Sequence, residues 1–293
     1  MNNTTTLTQT ITNNTNNLNN FKQYLINESK SSNTINSYLL NLKDYFTKYS
    51  TLSRANILNY IKQLKSNNTS AKTINHKLSS LKKYNLWLIE TNQDQTTYIL
   101  RTDFMKIQHQ YLSPTKVDNK DVINFYNKLK KESNKRNAAI TYLILSTGIR
   151  RAECADVKLN DINFNTNKLT IYSGKGSKQR TVLLNSKVIE VLKEYINTDR
   201  NKYKHSRSPY LFISSKSDRI ANETINAIMK PYNNGNITPH MLRHFWASNA
   251  LSNDMNIVEV ANNLGHSSIQ TTMIYTHPKE SDMRNKIENM IVV

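Results

Sequence analysis

Six residues stand out by type and spacing: Arg150, Lys175, His240, Arg243, His266 and Tyr275. Thr238-Pro239-His240-Met241-Leu242-Arg243 reads as a helix start, with Thr238 as cap and Pro239 in the first turn. His240 and Arg243 then stand one turn apart on one face. They lie at the positive end of a helix, where free N–H groups also favour a phosphate. Further along, Gly265 ends a second helical pattern, His266 follows it, and Tyr275 lies beyond. Arg150 closes a turn-like segment, Thr147-Gly148-Ile149-Arg150, and Lys175 sits in SGKGSKQ between two strand-like runs. Two arginines, two histidines, a lysine and a tyrosine nucleophile can together activate a phosphodiester without a metal. Taken singly these features are weak. A lone histidine is more often a satisfied core or surface residue, and Tyr275 is one of 16 tyrosines. SGKGSKQR looks like a phosphate loop but lacks the Gly-Lys-Ser/Thr ending of a nucleotide site. Order and spacing carry the reading.

The elements that must position these residues follow from hydrophobic periodicity. Residues 1–16 are low-complexity Asn/Thr and are expected to be disordered. Four helical patterns follow over residues 17–103. Leu18, Phe21 and Leu25 open the first. The second starts behind Asn33-Thr34 and carries Ile35, Tyr38, Leu39, Leu42, Tyr45 and Phe46 at spacings of three and four. Ser53 can cap the third, with Ile57, Tyr60, Ile61 and Leu64 on one face, and Ser70 or Thr73 can start the fourth, striped by Ile74, Leu78, Leu81 and Leu88. Residues 104–114, ending in Ser113-Pro114, read as a linker. In residues 115–293 Asp118 caps a helix through Val122, Phe125 and Leu129, and Ala138–Leu145 forms another. Lys168–Tyr172 and Arg180–Leu184 form a β-hairpin around the glycine-bearing turn. Residues 187–197, 222–232, 239–251 and 256–264 read as helical. The expected fold is mainly α: a four-helix bundle, then an α-rich domain with a small antiparallel sheet or hairpin.

Composition narrows the class. The 293 residues carry 40 Lys and Arg against 21 Asp and Glu, a net charge of +19. Up to Ser113 there are 13 basic and 5 acidic residues, and beyond it 27 and 16, so both halves are basic. A basic tail or one membrane-binding helix would concentrate the excess. A polyanion gripped by both domains fits the spread, with nucleic acid the leading candidate, although the 43 Asn residues point to an AT-rich genome whose codon bias would also raise Lys. No apolar run approaches the ~20 residues needed to span a bilayer, and the N-terminus lacks the pattern of a signal peptide. A lone cysteine, Cys154, excludes a disulfide framework and reads as a small core residue. A soluble, cytoplasmic protein is expected.

STGIRRAE, SGKGSKQR, TPHMLRHFWA and NLGHSSIQTTMIYTH, in this order, resemble the motifs of the tyrosine recombinase (phage integrase) family. The resemblance covers the catalytic domain from about Pro114 onward, and the bundle before it resembles the core-binding domain of Xer-type members. It implies a two-domain clamp on double-stranded DNA and a homotetramer on two recombination sites. Carried over by position, Tyr275 is the nucleophile that forms a 3′-phosphotyrosyl bond and releases a 5′-hydroxyl. Arg150 and Arg243 hold the non-bridging oxygens, Lys175 protonates the leaving oxygen, His240 assists proton transfer from Tyr275, and His266 hydrogen-bonds the phosphate. Glu153 matches the acidic residue that buttresses the first arginine. The resemblance implies no cofactor and no metal, because the bond energy is stored covalently. Lys178 and Arg180 share the hairpin with Lys175 and keep its assignment open. Arg151 reads as a surface or DNA-backbone contact, and His244 as structural, pointing elsewhere on its helix. Trp246 stands where the family usually has a smaller residue.

The resemblance points to recombination through a Holliday junction by a bacterial enzyme that resolves transposon cointegrates or plasmid or chromosome dimers. The alternatives are an integrase of a mobile element, a type IB topoisomerase-like enzyme and a non-catalytic DNA-binding relative. Met283, Ile287, Met290 and Ile291 recur at helical spacing in the tail 276–293, a pattern that suits packing on its own domain, whereas the family resemblance implies docking on a neighbouring protomer, which is the expectation taken.

Overall fold

The computed structural model describes residues 17–107, 118–172, 179–232, 237–266, 268–273 and 275. The Asn/Thr-rich start, most of the linker, Lys175 and the tail 276–293 lie outside the described residues. The chain divides into two compact units, Met1–His109 and Gln110–Val293.

In the first unit helix α1 covers residues 17–27, followed by α2 (Ser32–Phe46), α3 (Arg54–Ser66) and α4 (Ala71–Glu90). Serines 31, 53 and 70 each accept a backbone N–H at the start of the next helix, a cap worth about 1 kcal/mol. Helix α2 starts two residues before Thr34, because Ser31 rather than Asn33 supplies the cap. The apolar stripes meet in one core containing Phe21, Leu42, Tyr45, Ile57, Leu78 and Trp87. Arg54 fixes the chain beyond α4, its guanidinium pairing with both carboxylate oxygens of Asp103 and donating to the Tyr98 carbonyl. That pairing holds the Asp103 carboxyl below the usual carboxylate range.

The second unit opens with α5 (Asn119–Glu132), α6 (Lys135–Thr147) and α7 (Arg151–Asp156). Asp118 caps α5 and Asn134 caps α6, so α6 starts three residues before the apolar run that announces it. Three antiparallel strands follow, β1 (Ile162–Asn163), β2 (Lys168–Tyr172) and β3 (Gln179–Leu183), in spatial order β1-β2-β3. Leu169 and Val182 face each other across the β2–β3 ladder, and both are buried. Strand β1 is additional to the expected hairpin; two residues are too few to show alternation.

Helices α8 (Ser186–Asn197), α9 (Asn222–Ala227), α10 (Pro239–Ser252), α11 (Ile257–Leu264) and α12 (Gln270–Met273) complete the described part. The helix expected over 222–232 is broken: α9 stops at Ala227 and Lys230–Tyr232 is a 3-10 turn. Pro231 lacks an N–H and disfavours helical backbone at Lys230. The loop after α8 is organised by Arg200, which is buried and donates to the carbonyls of Ser206, Ser208, Tyr210 and Leu211. The core joins α5, α6, α8 and the sheet, and includes Cys154 at zero exposure, where burial pushes its thiol pKa up. Among the described residues no helix is long and apolar enough to cross a membrane.

Candidate active site

The site is built where two helices end and two begin. Helices α6 and α11 each stop at a glycine in the left-handed conformation, Gly148 at φ +67° and Gly265 at φ +64°. Each reversal delivers a candidate residue just beyond it, Arg150 two residues after Gly148 and His266 directly after Gly265. Arg150 stands at the N-cap position of α7. Helix α10 starts behind Thr238, whose hydroxyl accepts the Met241 N–H at 3.3 Å, with Pro239 in the first turn. His240, Arg243 and His244 therefore fall on one face at intervals of three and four. Tyr275 follows α12, and its N–H bonds the Thr272 carbonyl at 3.0 Å.

Three guanidinium groups converge on the carbonyl end of α11. Arg243 donates to Leu264 O at 2.8 Å and to Gly148 O at 2.6 Å. Arg150 donates to Leu264 O at 3.1 Å and Gly265 O at 3.0 Å. Arg180, from β3, donates to Asn263 O at 2.7 Å. A helix C-terminus carries partial negative charge and unpaired carbonyls, so it is a natural seat for cations. Glu153 completes the cluster. Its Oε1 accepts from Arg150 Nη1 at 3.0 Å and Arg180 Nη1 at 2.8 Å, and its Oε2 from the Arg150 N–H and Arg180 Nη2 at 2.7 Å each. Burial alone would raise its carboxyl pKa, but Arg180 first, then Arg150, bring it down to about 2. Arg243 is only 4% exposed, and burial beside Arg150 lowers its pKa to about 10, which leaves it charged at neutral pH.

The histidines form the other wall. His240 and His244 share one hydrogen bond, Nε2 to Nε2 at 2.8 Å, with their rings edge to face. The His244 ring also lies 5.1 Å from that of Tyr275. His266 Nδ1 bonds the buried Thr272 hydroxyl at 2.7 Å. Burial, reinforced by neighbouring cations, lowers the pKa of His244 and His266 to about 4, so both are neutral at pH 7. The Tyr275 ring packs with Ala247, Val260 and Leu264. Its burial raises the phenol pKa, opposed by Arg243 and Arg150.

Arg150, His240, Arg243, His266 and Tyr275 all line one cavity of about 820 Å³, with Glu153 behind Arg150. Lys175 lies outside the described residues. Arg151, Lys230 and His244 line the same cavity. His244 therefore does not point away from the site: it is four residues after His240, and that interval alone places both on one face. Lys230 carried no signal, because only the fold brings it near α10. Trp246 finds its reason in packing, its ring lying over Gly148 while its Nε1 donates to the Ser146 carbonyl at 3.0 Å.

Comparison with known proteins adds to this geometry. Residues 115–282 match the phage integrase family, and residues 18–92 match the phage integrase N-terminal SAM-like domain. The chain is 44% identical over 278 residues to the TnP I resolvase of Bacillus thuringiensis, covering 92% of this chain and 97% of that protein. It is 30% identical over 283 residues to the tyrosine recombinase XerA of Pyrococcus furiosus, covering 92% and 94%. Among solved structures it is similar to the Tn1549 transposon integrase in complex with transposon right end DNA. That match has a TM-score of 0.72 at 16% identity and covers 94% of this chain and 99% of the other.

Proposed function

Because the chain belongs to the phage integrase family, the tyrosine recombinases, we propose that its cavity holds a DNA phosphate which Tyr275 attacks. The observation that carries this reading is the meeting of Arg150, His240, Arg243, His266 and Tyr275 around one cavity. Arg150 and Arg243 bind the non-bridging oxygens and neutralise charge that develops there. Both are held by backbone carbonyls before DNA arrives, so little reorganisation is needed. The Tyr275 phenol, protonated in the free enzyme, needs a proton acceptor; on this reading that role falls to His240, supported by its bond to His244, whose ring lies 5.1 Å from that of Tyr275. The Tyr275 Oη–P bond forms as the P–O5′ bond breaks, and Lys175 supplies the proton to the leaving 5′ oxygen. His266 donates from Nε2 to the phosphate when the Thr272 hydroxyl donates to its Nδ1. A 5′-hydroxyl from another strand then reverses the step, and one phosphodiester replaces another with no net change in bond type.

On this reading residues 17–103 grip DNA, 104–114 link, and 115–293 cleave, with 1–16 as a polar tail. Four protomers act on two sites through a Holliday junction, and the tail 276–293 docks on a neighbour. The enzyme works in the bacterial cytoplasm as a resolvase of transposon cointegrates or of plasmid or chromosome dimers. The similarity to the TnP I resolvase supports this over an integrase. A supercoiled plasmid carrying two direct copies of the DNA footprinted beside its own gene tests this. Resolution predicts two separate circles; relaxation without a site requirement would instead indicate topoisomerase activity.

A further inference from the structure

The Arg180 side chain belongs to β3 yet spends its donors inside the catalytic cluster. It is 14% exposed and does not line the cavity. All three of its nitrogens donate: Nε to Asn263 O, and Nη1 and Nη2 to the two oxygens of Glu153. Glu153, 10% exposed, uses its remaining acceptor positions on the Arg150 side chain and backbone. Arg180 also packs against Gly265, where an added Cβ would lie 2.8 Å from its Nη1. One guanidinium thus supports both things that orient Arg150: the carboxylate on one side and the 263–265 backbone on the other.

We propose that Arg180 is a positioning residue for strand cleavage, holding Glu153 and the end of α11 so that Arg150 faces the phosphate only when β3 is seated. The proposal rests on the assignment of Arg150 to the phosphate. It makes β3, which follows Lys175 in the sequence, a structural condition for the arginine geometry. A lysine cannot substitute, because a single ammonium cannot donate in plane to both carboxylate oxygens and to a carbonyl. Arg180 would therefore act on the rate of cleavage rather than on DNA affinity.

The test is single-turnover cleavage, at saturating full-length protein, of a nicked duplex carrying the site footprinted beside the gene. Arg180→Ala and Arg180→Lys are compared, each with and without Glu153→Gln, with DNA affinity measured by mobility shift. Arg180→Lys keeps the positive charge in the cluster, so it carries the test if Arg180→Ala does not fold. Cleavage is expected to slow about 10- to 100-fold in Arg180→Lys while DNA affinity is retained. The Glu153→Gln change should add little on top, as expected of residues acting as one unit. Wild-type cleavage by Arg180→Lys, or independent multiplication of the two effects, overturns the proposal. Arg150→Ala is run in parallel. If Arg150→Ala is inactive while the Arg180 variants cleave normally, the positioning role alone fails; if Arg150→Ala cleaves normally, the phosphate assignment itself fails.

Discussion

Glu153 shows what single residues do at this site and how far a sequence can disclose it. The family resemblance implied a buttress three residues after Arg150, but the other arginine that Glu153 holds, Arg180, is 27 residues away. No local spacing reports a contact of that kind. His244 is the opposite case, since an interval of four from His240 was legible and the side chain does face the cavity. The neutral histidines give a pH dependence whose sign is fixed. His244 and His266 titrate near 6.5 when unfolded and about 4 when folded. Between those values the unfolded chain binds more protons, so stability falls as pH drops through that window and is level above it. Glu153, depressed to about 2, adds a further loss below its usual value of 4.5. The melting temperature should therefore decline from near pH 6.5 to near pH 4.5, and the doubly substituted His244→Gln/His266→Gln protein should decline less. An unchanged slope in that variant would exclude the two histidines as the cause.

The helices of this chain announced themselves through caps. Ser53, Ser70, Asp118, Thr238 and Gly265 stand where the periodic stripes predict an end or a start. What stayed hidden depended on partners rather than on local pattern: the two-residue strand β1 exists only because β2 is beside it. The expectation of one helix over 222–232 takes no account of Pro231, which lacks an N–H and disfavours helical backbone just before it. Gly148 is the element-scale hinge of the site, since its left-handed turn aims Arg150 and its carbonyl holds Arg243. A Cβ there would meet Leu264 and Trp246, each at 2.8 Å. Gly148→Ala is expected to lose about 2 kcal/mol or more, the sum of left-handed strain and overpacking. Denaturant unfolding measures this, and a loss below about 0.5 kcal/mol would show that the turn relaxes without cost.

At the scale of the molecule, the +19 charge suggested a polyanion gripped by both halves but could not separate function from codon bias. The fold assigns part of it: Arg150, Arg180 and Arg243 cluster at one helix end, Arg54 and Arg200 organise loops, and Arg151 and Lys230 line the cavity. The order of the four motifs made the catalytic domain the most legible part of the chain, and residues from three of them line one cavity. On the proposed reading Tyr275 becomes covalently joined to DNA. The most direct measurement is denaturing electrophoresis of the protein with a nicked duplex carrying its site, followed by mass analysis of the DNA-linked peptide. The wild-type protein should form an adduct through Tyr275 and release a 5′-hydroxyl fragment, while Tyr275→Phe binds the same duplex and forms none. An adduct formed equally well by Tyr275→Phe would mean that Tyr275 is not the nucleophile.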